Sequence, residues 1–153
     1  MTTPLVRPIQ PGDRREWERL FGAYGEFYET AFDADVLAGV WAWLMDAAHP
    51  VSAWVAVADA SSSEPRLVGF AHLRRTDDTF TAGPGWFLDD LFVDPSHRGS
   101  GIARRLIAEL ETHAGAHGGG TLRWITAASN TTAQRLYDDV ATRTTWVTYE
   151  KET

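Results

Sequence analysis

The stretch from residue 86 to residue 117 constrains the fold more than any other. A β-rich run, WFLDDLFVD, stops at Asp94-Pro95, and an apolar stripe of helical period follows: Ile102, Ala103, Leu106, Ile107 and Leu110. Proline lacks the N–H that a sheet ladder needs, so the strand ends there. The stripe recurs at steps of three and four, which predicts a helix to about residue 117, stopped by Gly118-Gly119-Gly120. Between strand and helix lies SHRGSG. Glycines at 99 and 101 allow backbone conformations closed to other residues and keep side chains out of the way. The unpaired N–H groups of the helix start then face outward, where the macrodipole favours an anion, and Arg98 can add a charge-assisted contact.

Two familiar phosphate loops do not fit. A Walker loop needs Lys followed by Ser or Thr after its last glycine, and the residues after Gly101 are Ile102 and Ala103. A dinucleotide fingerprint needs a third glycine where Arg104 stands. A ligand held by backbone without a loop lysine points towards a pyrophosphate linker. Taken alone, the loop reads first as a glycine-rich helix entry with no ligand, because short G-x-G signals are weak.

The rest of the chain builds a mixed α/β domain. Residues 4–9 form a short edge strand, where prolines are tolerated. Asp13 and Glu16 make a capping-box pattern for a helix from about residue 14 to residue 30, weakened near its end by Gly22 and Gly25. Trp17, Leu20, Phe21, Tyr24 and Tyr28 give that helix its apolar stripe. A second helix spans 33–47, with Trp41 and Trp43 on different sides. Strands at 51–59 and 66–76 form a hairpin, 76–85 is a loop, and 121–127 is a strand. A helix at 130–141 starts at Ser129 or Asn130, and TTWVTYEK at 144–151 closes as a strand. The order predicts one domain over residues 1–153, a single mixed, mostly antiparallel sheet flanked by helices.

Composition narrows the partners. The 153 residues carry a formal charge of −7 and a single lysine, Lys151, which disfavours an extended nucleic-acid surface. No cysteine is present, which excludes disulfides, cysteine-ligated zinc and a cysteinyl intermediate. No apolar run approaches the roughly 20 residues that span a bilayer, and the N-terminal stretch lacks a signal-peptide core. The reading is a cytoplasmic protein without nucleic-acid or membrane partners. His113 and His117 have a zinc-compatible spacing but no evident third ligand, so no metal is expected.

Two segments together carry a resemblance. LDDLFVDPSHRGSGIARRLI at 88–107 resembles the acetyl-CoA-binding core of the GNAT N-acetyltransferase superfamily: an L-[DE]-D-[LI]-[FY]-V strand running into [QR]-x-x-G-x-[GA]. NTTAQRLYDDV at 130–140 is similar to the family's N-x-x-A-x-x-L-Y helix. The resemblance spans 86–151 by motif and 4–75 by element order. The chain lacks the Gly-Phe turn that commonly follows Leu-Tyr and has DDVATRTTWVTYEK there, which looks like the histone and polyamine (diamine) acetyltransferase branch. Dimers occur in that branch, so a homodimer is a further expectation.

The resemblance implies a GNAT fold and transfer of acetyl from acetyl-CoA to a primary amine: a polyamine, an amino acid or a lysine side chain. Without cysteine, direct attack in a ternary complex is the simpler route. The implied donor site comprises Leu91, Phe92 and Val93 on the strand, Arg98, Gly99, Ser100, Gly101, Ile102 and Ala103 at the helix start, and Asn130. Tyr137 occupies the family's tyrosine position and is the expected acid for the departing thiolate. Asp89 and Asp90 are the expected proton acceptor and amine-capturing charge, and strand alternation sends their side chains to opposite faces. Tyr24, Glu26 and Tyr28 are the expected acceptor wall. A second class of function, a non-catalytic acyl-CoA-binding module, needs only the loop and the strand, whereas Tyr137 and the two aspartates favour an enzyme.

Overall fold

The computed structural model describes residues 3–153, so Met1 and Thr2 of the expected 1–153 domain lie outside the described residues. Five strands form one sheet in the order β1-β2-β3-β4-β5: β1 (Leu5–Pro8), β2 (Val51–Val57), β3 (Leu67–Asp78), β4 (Gly83–Val93) and β5 (Leu122–Arg123). The first three pairings are antiparallel and β4–β5 is parallel, as a mixed, mostly antiparallel sheet requires. Four helices flank it: α1 (Arg14–Phe27), α2 (Ala34–Met45), α3 (Ile102–Ala116) and α4 (Thr131–Val140).

Strand alternation divides the core into two layers. Trp54, Ala56, Ala71, Leu73, Trp86 and Leu88 point to one face and meet Ile102, Leu106, Ile107 and Leu110 of α3. Val55, Val57, Leu67, Phe70 and Phe92 point to the other and meet Trp17, Leu20 and Phe21 of α1 and Trp41 of α2. Trp43, two residues from Trp41, is half exposed and stacks on His49, so the two indoles do face different sides.

Several boundaries differ from the sequence expectation, each for a physical reason. The capping box at α1 does not form. Asp13 accepts from Arg7 and from the Gln10 N–H in a 3₁₀ turn, and Glu16 is bonded to Arg19 and the Leu67 N–H. Glycine does not break α1 at Gly25; a Cβ there would collide with the Thr30 carbonyl and the Phe32 ring, so the residue serves close packing. The 76–85 loop shrinks to Thr79–Ala82, because Thr76, Asp77 and Asp78 pair with Gly85, Pro84 and Gly83. After α3, Gly118, Gly119 and Gly120 all take positive φ, and a Cβ on Gly120 would strike the Pro84 carbonyl. The expected strand at 144–151 does not form within the chain: residues 141–153 are exposed and carry no ladder.

No helix among the described residues is long and apolar enough to cross a membrane. His113 and His117 stack with ring centroids 4.0 Å apart, and no third metal-ligating side chain joins them among the described residues.

Candidate active site

A break in the sheet creates the site. β4 and β5 pair only at Trp86–Leu122 and Phe87–Arg123, and beyond that point they part. A cleft of about 630 Å³ opens in the wedge, with Leu91, Phe92 and Val93 of β4 on one side and Trp124, Ile125 and Thr126 on the other. Past Phe87 and Arg123 no ladder joins the two edges. Strands that end in an open wedge at a helix start are a recurrent place for ligands in sheet proteins.

One end of the cleft is the glycine loop. Gly99 and Gly101 both take positive φ, +76° and +81°, and a Cβ on either would meet open space. Gly101 is the N-cap of α3 and supplies no side-chain cap, so the first-turn N–H groups keep their capacity for an anion. Gly99, Gly101, Ile102, Ala103 and Arg104 all line the cleft. The Arg98 guanidinium folds back onto the rings of Phe92 and Phe27 and donates to the Val93 carbonyl at 3.2 Å. Ser100 does not line the cleft; its hydroxyl donates to the His97 carbonyl at 2.5 Å and braces the loop.

Across the wedge stands α4. Asn130 lines the cleft and caps the helix, its side chain accepting from the Ala133 N–H at 3.3 Å. Tyr137 is half-buried, edge-on to Trp124 with centroids 5.4 Å apart. Burial, and then the nearby Tyr28, raises its pKa above the ordinary phenol value, so it holds its proton at neutral pH.

The two aspartates depart from simple alternation. His72 pairs with Asp90 but Leu73 pairs with Leu88, so Asp89 is the extra residue of a β-bulge. The bulge shifts the alternation by one residue: Trp86 and Leu88 face α3, and so do Leu91 and Val93 after it. Asp89 is bonded twice to Arg74, at 2.9 Å each, and Asp90 to His72 at 2.8 Å. Arg74 and His72 are two apart on β3 and share a face. Both carboxylates therefore lie on the α1 side of the sheet, not on opposite faces. Asp89 lines the cleft, whereas Asp90 is not among its lining residues.

His72, on β3, is a site residue that no sequence motif marks. It is 2% exposed and joins a buried chain: Trp17 Nε1 lies 2.9 Å from its Nε2, and Asp90 lies on its Nδ1. Indole N–H can only donate, so Nε2 must accept, and the proton sits on Nδ1 and is donated to Asp90. Burial raises the Asp90 pKa, but the His72 hydrogen bond, His72 polarity and Tyr24 outweigh it and hold the carboxyl below its usual range. Burial and then the Asp90 charge push the Tyr24 hydroxyl far up, so it remains a donor beside that carboxylate. Trp17→Phe removes the only hydrogen-bond donor to a buried ring nitrogen, a loss of about 1–3 kcal/mol. Urea unfolding should read a destabilisation of that size, and an unchanged midpoint would show the bond to be dispensable.

Comparison with known proteins decides the family. The sequence model of the acetyltransferase (GNAT) family matches residues 14–140. The chain belongs to the GNAT acetyltransferase family. It is 29% identical over 148 residues to the D-amino-acid N-acetyltransferase HPA3 of Saccharomyces cerevisiae, covering 96% of this chain and 89% of that protein. It is also 29% identical over 133 residues to the N-acetyltransferase YhfO of Bacillus subtilis, covering 87% and 85%. Among solved structures, AAC(6')-Iy in complex with a bisubstrate analogue, CoA-S-monomethyl-acetylneamine, superposes with a TM-score of 0.83 over 99% of both chains at 20% identity. At that identity the superposition establishes the GNAT fold. The family assignment makes this chain an N-acetyltransferase, an enzyme rather than a passive binding module.

Within the GNAT cleft the sequence-predicted residues are distributed unevenly. Leu91, Phe92, Val93, Arg98, Gly99, Gly101, Ile102, Ala103, Asn130, Tyr137, Asp89, Tyr24 and Tyr28 all line it. Ser100, Asp90 and Glu26 do not. Glu26 is exposed on α1, because Tyr24 and Tyr28 occupy the inward side and the helical repeat turns position 26 away. Phe27, Trp124, Thr126 and Leu136 line the cleft without having been singled out. A helical tyrosine stripe could have flagged Phe27; no local pattern marks Thr126.

Proposed function

We propose that the enzyme transfers acetyl from acetyl-CoA to the primary amine of a small acceptor, with an amino acid as the first class to test. The observation that carries the reading is the wedge itself: one continuous cleft runs from an uncapped, glycine-opened helix start to a protonated tyrosine and an aspartate. The amino-acid class is supported by the 29% identity to a D-amino-acid N-acetyltransferase over nearly the whole chain. The resemblance of the motif segments to the histone and polyamine branch keeps polyamines and lysine side chains in the test.

In this reading the helix-start N–H groups around Gly101 to Ala103, with Arg98 and Ser100 bracing the loop, seat the pyrophosphate. The exposed backbone edge of Leu91, Phe92 and Val93, together with Asn130, aligns the pantetheine arm, and a β4 N–H polarises the thioester carbonyl. The amine nitrogen forms the new C–N bond as the C–S bond breaks. Tyr137 gives its proton to the departing sulfur. Asp89 or Asp90 accepts the amine proton through water. Asp90, fixed as a carboxylate by His72, draws the cationic acceptor towards the site, and Tyr24 and Tyr28 wall it. Cytoplasmic location and a homodimer belong to the same proposal.

Thiol release from acetyl-CoA with D- and L-amino acids, polyamines and histone-tail peptides tests it. Turnover with an amino acid is the expected result. Turnover with polyamines alone would transfer the assignment to that class, and silence across the panel despite tight acetyl-CoA binding would contradict the acceptor reading.

A further inference from the structure

The loop in front of α3 combines exposure with backbone freedom. Arg98, Gly99, Ser100 and Gly101 are all exposed, and two of the four take positive φ. Ordering each such residue costs conformational entropy, so the segment keeps one shape only if its ends are fixed. Asp94 fixes the entry. Its Oδ1 accepts from the Ser96 N–H at 3.0 Å and the Ser96 hydroxyl at 2.6 Å, and its carbonyl accepts from the His97 N–H at 2.8 Å. These bonds build the 3₁₀ turn Pro95–His97, on which Ser100 takes its own brace. The Asp94 N–H donates to the Val68 carbonyl at 2.8 Å, which docks the turn on β3.

The second oxygen of Asp94 reaches a different element. Oδ2 lies 3.3 Å from Nη1 of Arg19 on α1 and 3.9 Å from Nη2 of Arg66. Arg19 is itself held on two sides. Its Nε and Nη2 donate to Glu16 at 3.1 and 2.9 Å, and Nη2 also donates to the Leu67 carbonyl at 2.8 Å. Glu16 in turn accepts from the Leu67 N–H at 3.2 Å. Guanidinium donors form a rigid fork, so the bonds to Glu16 and Leu67 aim the remaining arm at Asp94. Further along the same helix, Tyr24 and Phe27 line the cleft. One guanidinium thus joins the entry of the loop to a helix that walls the site. Arg19 keeps 35% of its side chain exposed, and a pair so open to water adds little to stability. Its consequence is geometric.

We propose that Arg19 is a positioning residue for acetyl transfer: through Asp94 it holds the glycine loop in the shape that receives the donor's phosphates. The inference rests on the reading of that loop as the phosphate seat. Arg19 itself touches no substrate. Loss of its guanidinium leaves the Ser96 bonds to Asp94 in place but releases the turn from α1. The cost therefore falls on donor affinity and not on the reaction of a donor already bound.

Steady-state kinetics and titration with acetyl-CoA test the assignment. Arg19→Met keeps most of the side-chain stem and removes every donor. It should raise the Kd and KM for acetyl-CoA about tenfold, within the range shown by residues that share one network, while kcat at saturating donor stays within a few-fold of the parent. Asp94→Asn keeps an oxygen for Ser96 and presents an amide NH2 to Arg19, so it should act in the same way; it decides alone if Arg19→Met does not fold. The double variant should be no weaker than the worse single one. Arg7→Met removes a 2.7 Å ion pair to Asp13 from the edge strand β1 and is the control for stability. It should lower the urea midpoint and leave the donor KM unchanged. An unchanged donor KM in Arg19→Met and Asp94→Asn, with Gly101→Glu still losing the donor, would overturn this inference and spare the loop reading. Donor affinity retained in Gly101→Glu would overturn both. An equal rise in KM for Arg7→Met would also overturn it, because lost stability would then account for the effect.

Discussion

Tyr137→Phe should lower turnover about 10²–10⁴-fold, the range that a positioned acid contributes, while acetyl-CoA affinity stays within a few-fold of the parent. The hydroxyl is the only atom removed, and the ring keeps its edge contact with Trp124. The effect therefore falls on kcat and not on folding or donor binding. The pH profile separates a proton donor from a packing residue. A required acid produces a falling limb where it loses its proton, and burial raises that point for Tyr137 above the ordinary phenol value of about 10. The parent should keep its activity past pH 10, whereas the variant's residual activity should lack that falling limb. Turnover unchanged in the variant would remove Tyr137 from the chemistry.

Gly101→Glu should reduce acetyl-CoA affinity at least about 100-fold, and two independent physical effects act in that direction. The residue has φ +81°, so any side chain there strains the backbone, at a stability cost of about 1 kcal/mol. Apart from Gly101 itself and the adjoining backbone, nothing lies within 4 Å of the added Cβ, so the new side chain meets no protein wall at its root. It enters the space in front of the helix start, where its negative charge competes with the phosphates for the same N–H groups. Gly101→Ala carries the strain without the charge and serves as the control. Isothermal titration should show a small loss for Ala and near-complete loss for Glu. Equal losses would place the effect in backbone strain and not in a phosphate seat.

Legibility in the sequence follows the distance between the residues that make a feature. The loop and α3 were readable because strand, proline, glycines and apolar stripe are contiguous, and the same holds for the Asn130 cap of α4. The hairpin and the mixed sheet followed from runs of β-rich residues separated by turns. The Trp17–His72–Asp90 chain was not readable, since its bonds join residues 55 and 18 positions apart. The bulge at Asp89 leaves no mark in composition, so alternation sent the two aspartates to opposite faces when one inserted residue brings their β3 partners onto one face. The 144–151 segment has the chemistry of a strand, but a ladder needs a partner edge, which no local pattern supplies. Glu26 was chosen for its charge, and the helical repeat that carries Tyr24 and Tyr28 inward turns it out.

The buried His72 gives the site part of its character. With its proton on Nδ1 and its Nε2 committed to the Trp17 indole, it serves as a fixed donor to Asp90 and leaves no free lone pair to act as a base. The carboxylate is thereby held ionised beside a cleft whose other end is the uncapped start of α3. In the proposed function one end receives a cation and the other an anion, which is the electrostatic layout that an amine and a CoA thioester require.

A crystal structure with CoA and an acceptor analogue tests this layout most directly. The account predicts the pyrophosphate on the N–H groups of residues 101–103, the pantetheine arm between the β4 edge and Asn130, and the sulfur within hydrogen-bond reach of the Tyr137 hydroxyl. CoA bound with its sulfur away from Tyr137, or its phosphates away from the glycine loop, would contradict it.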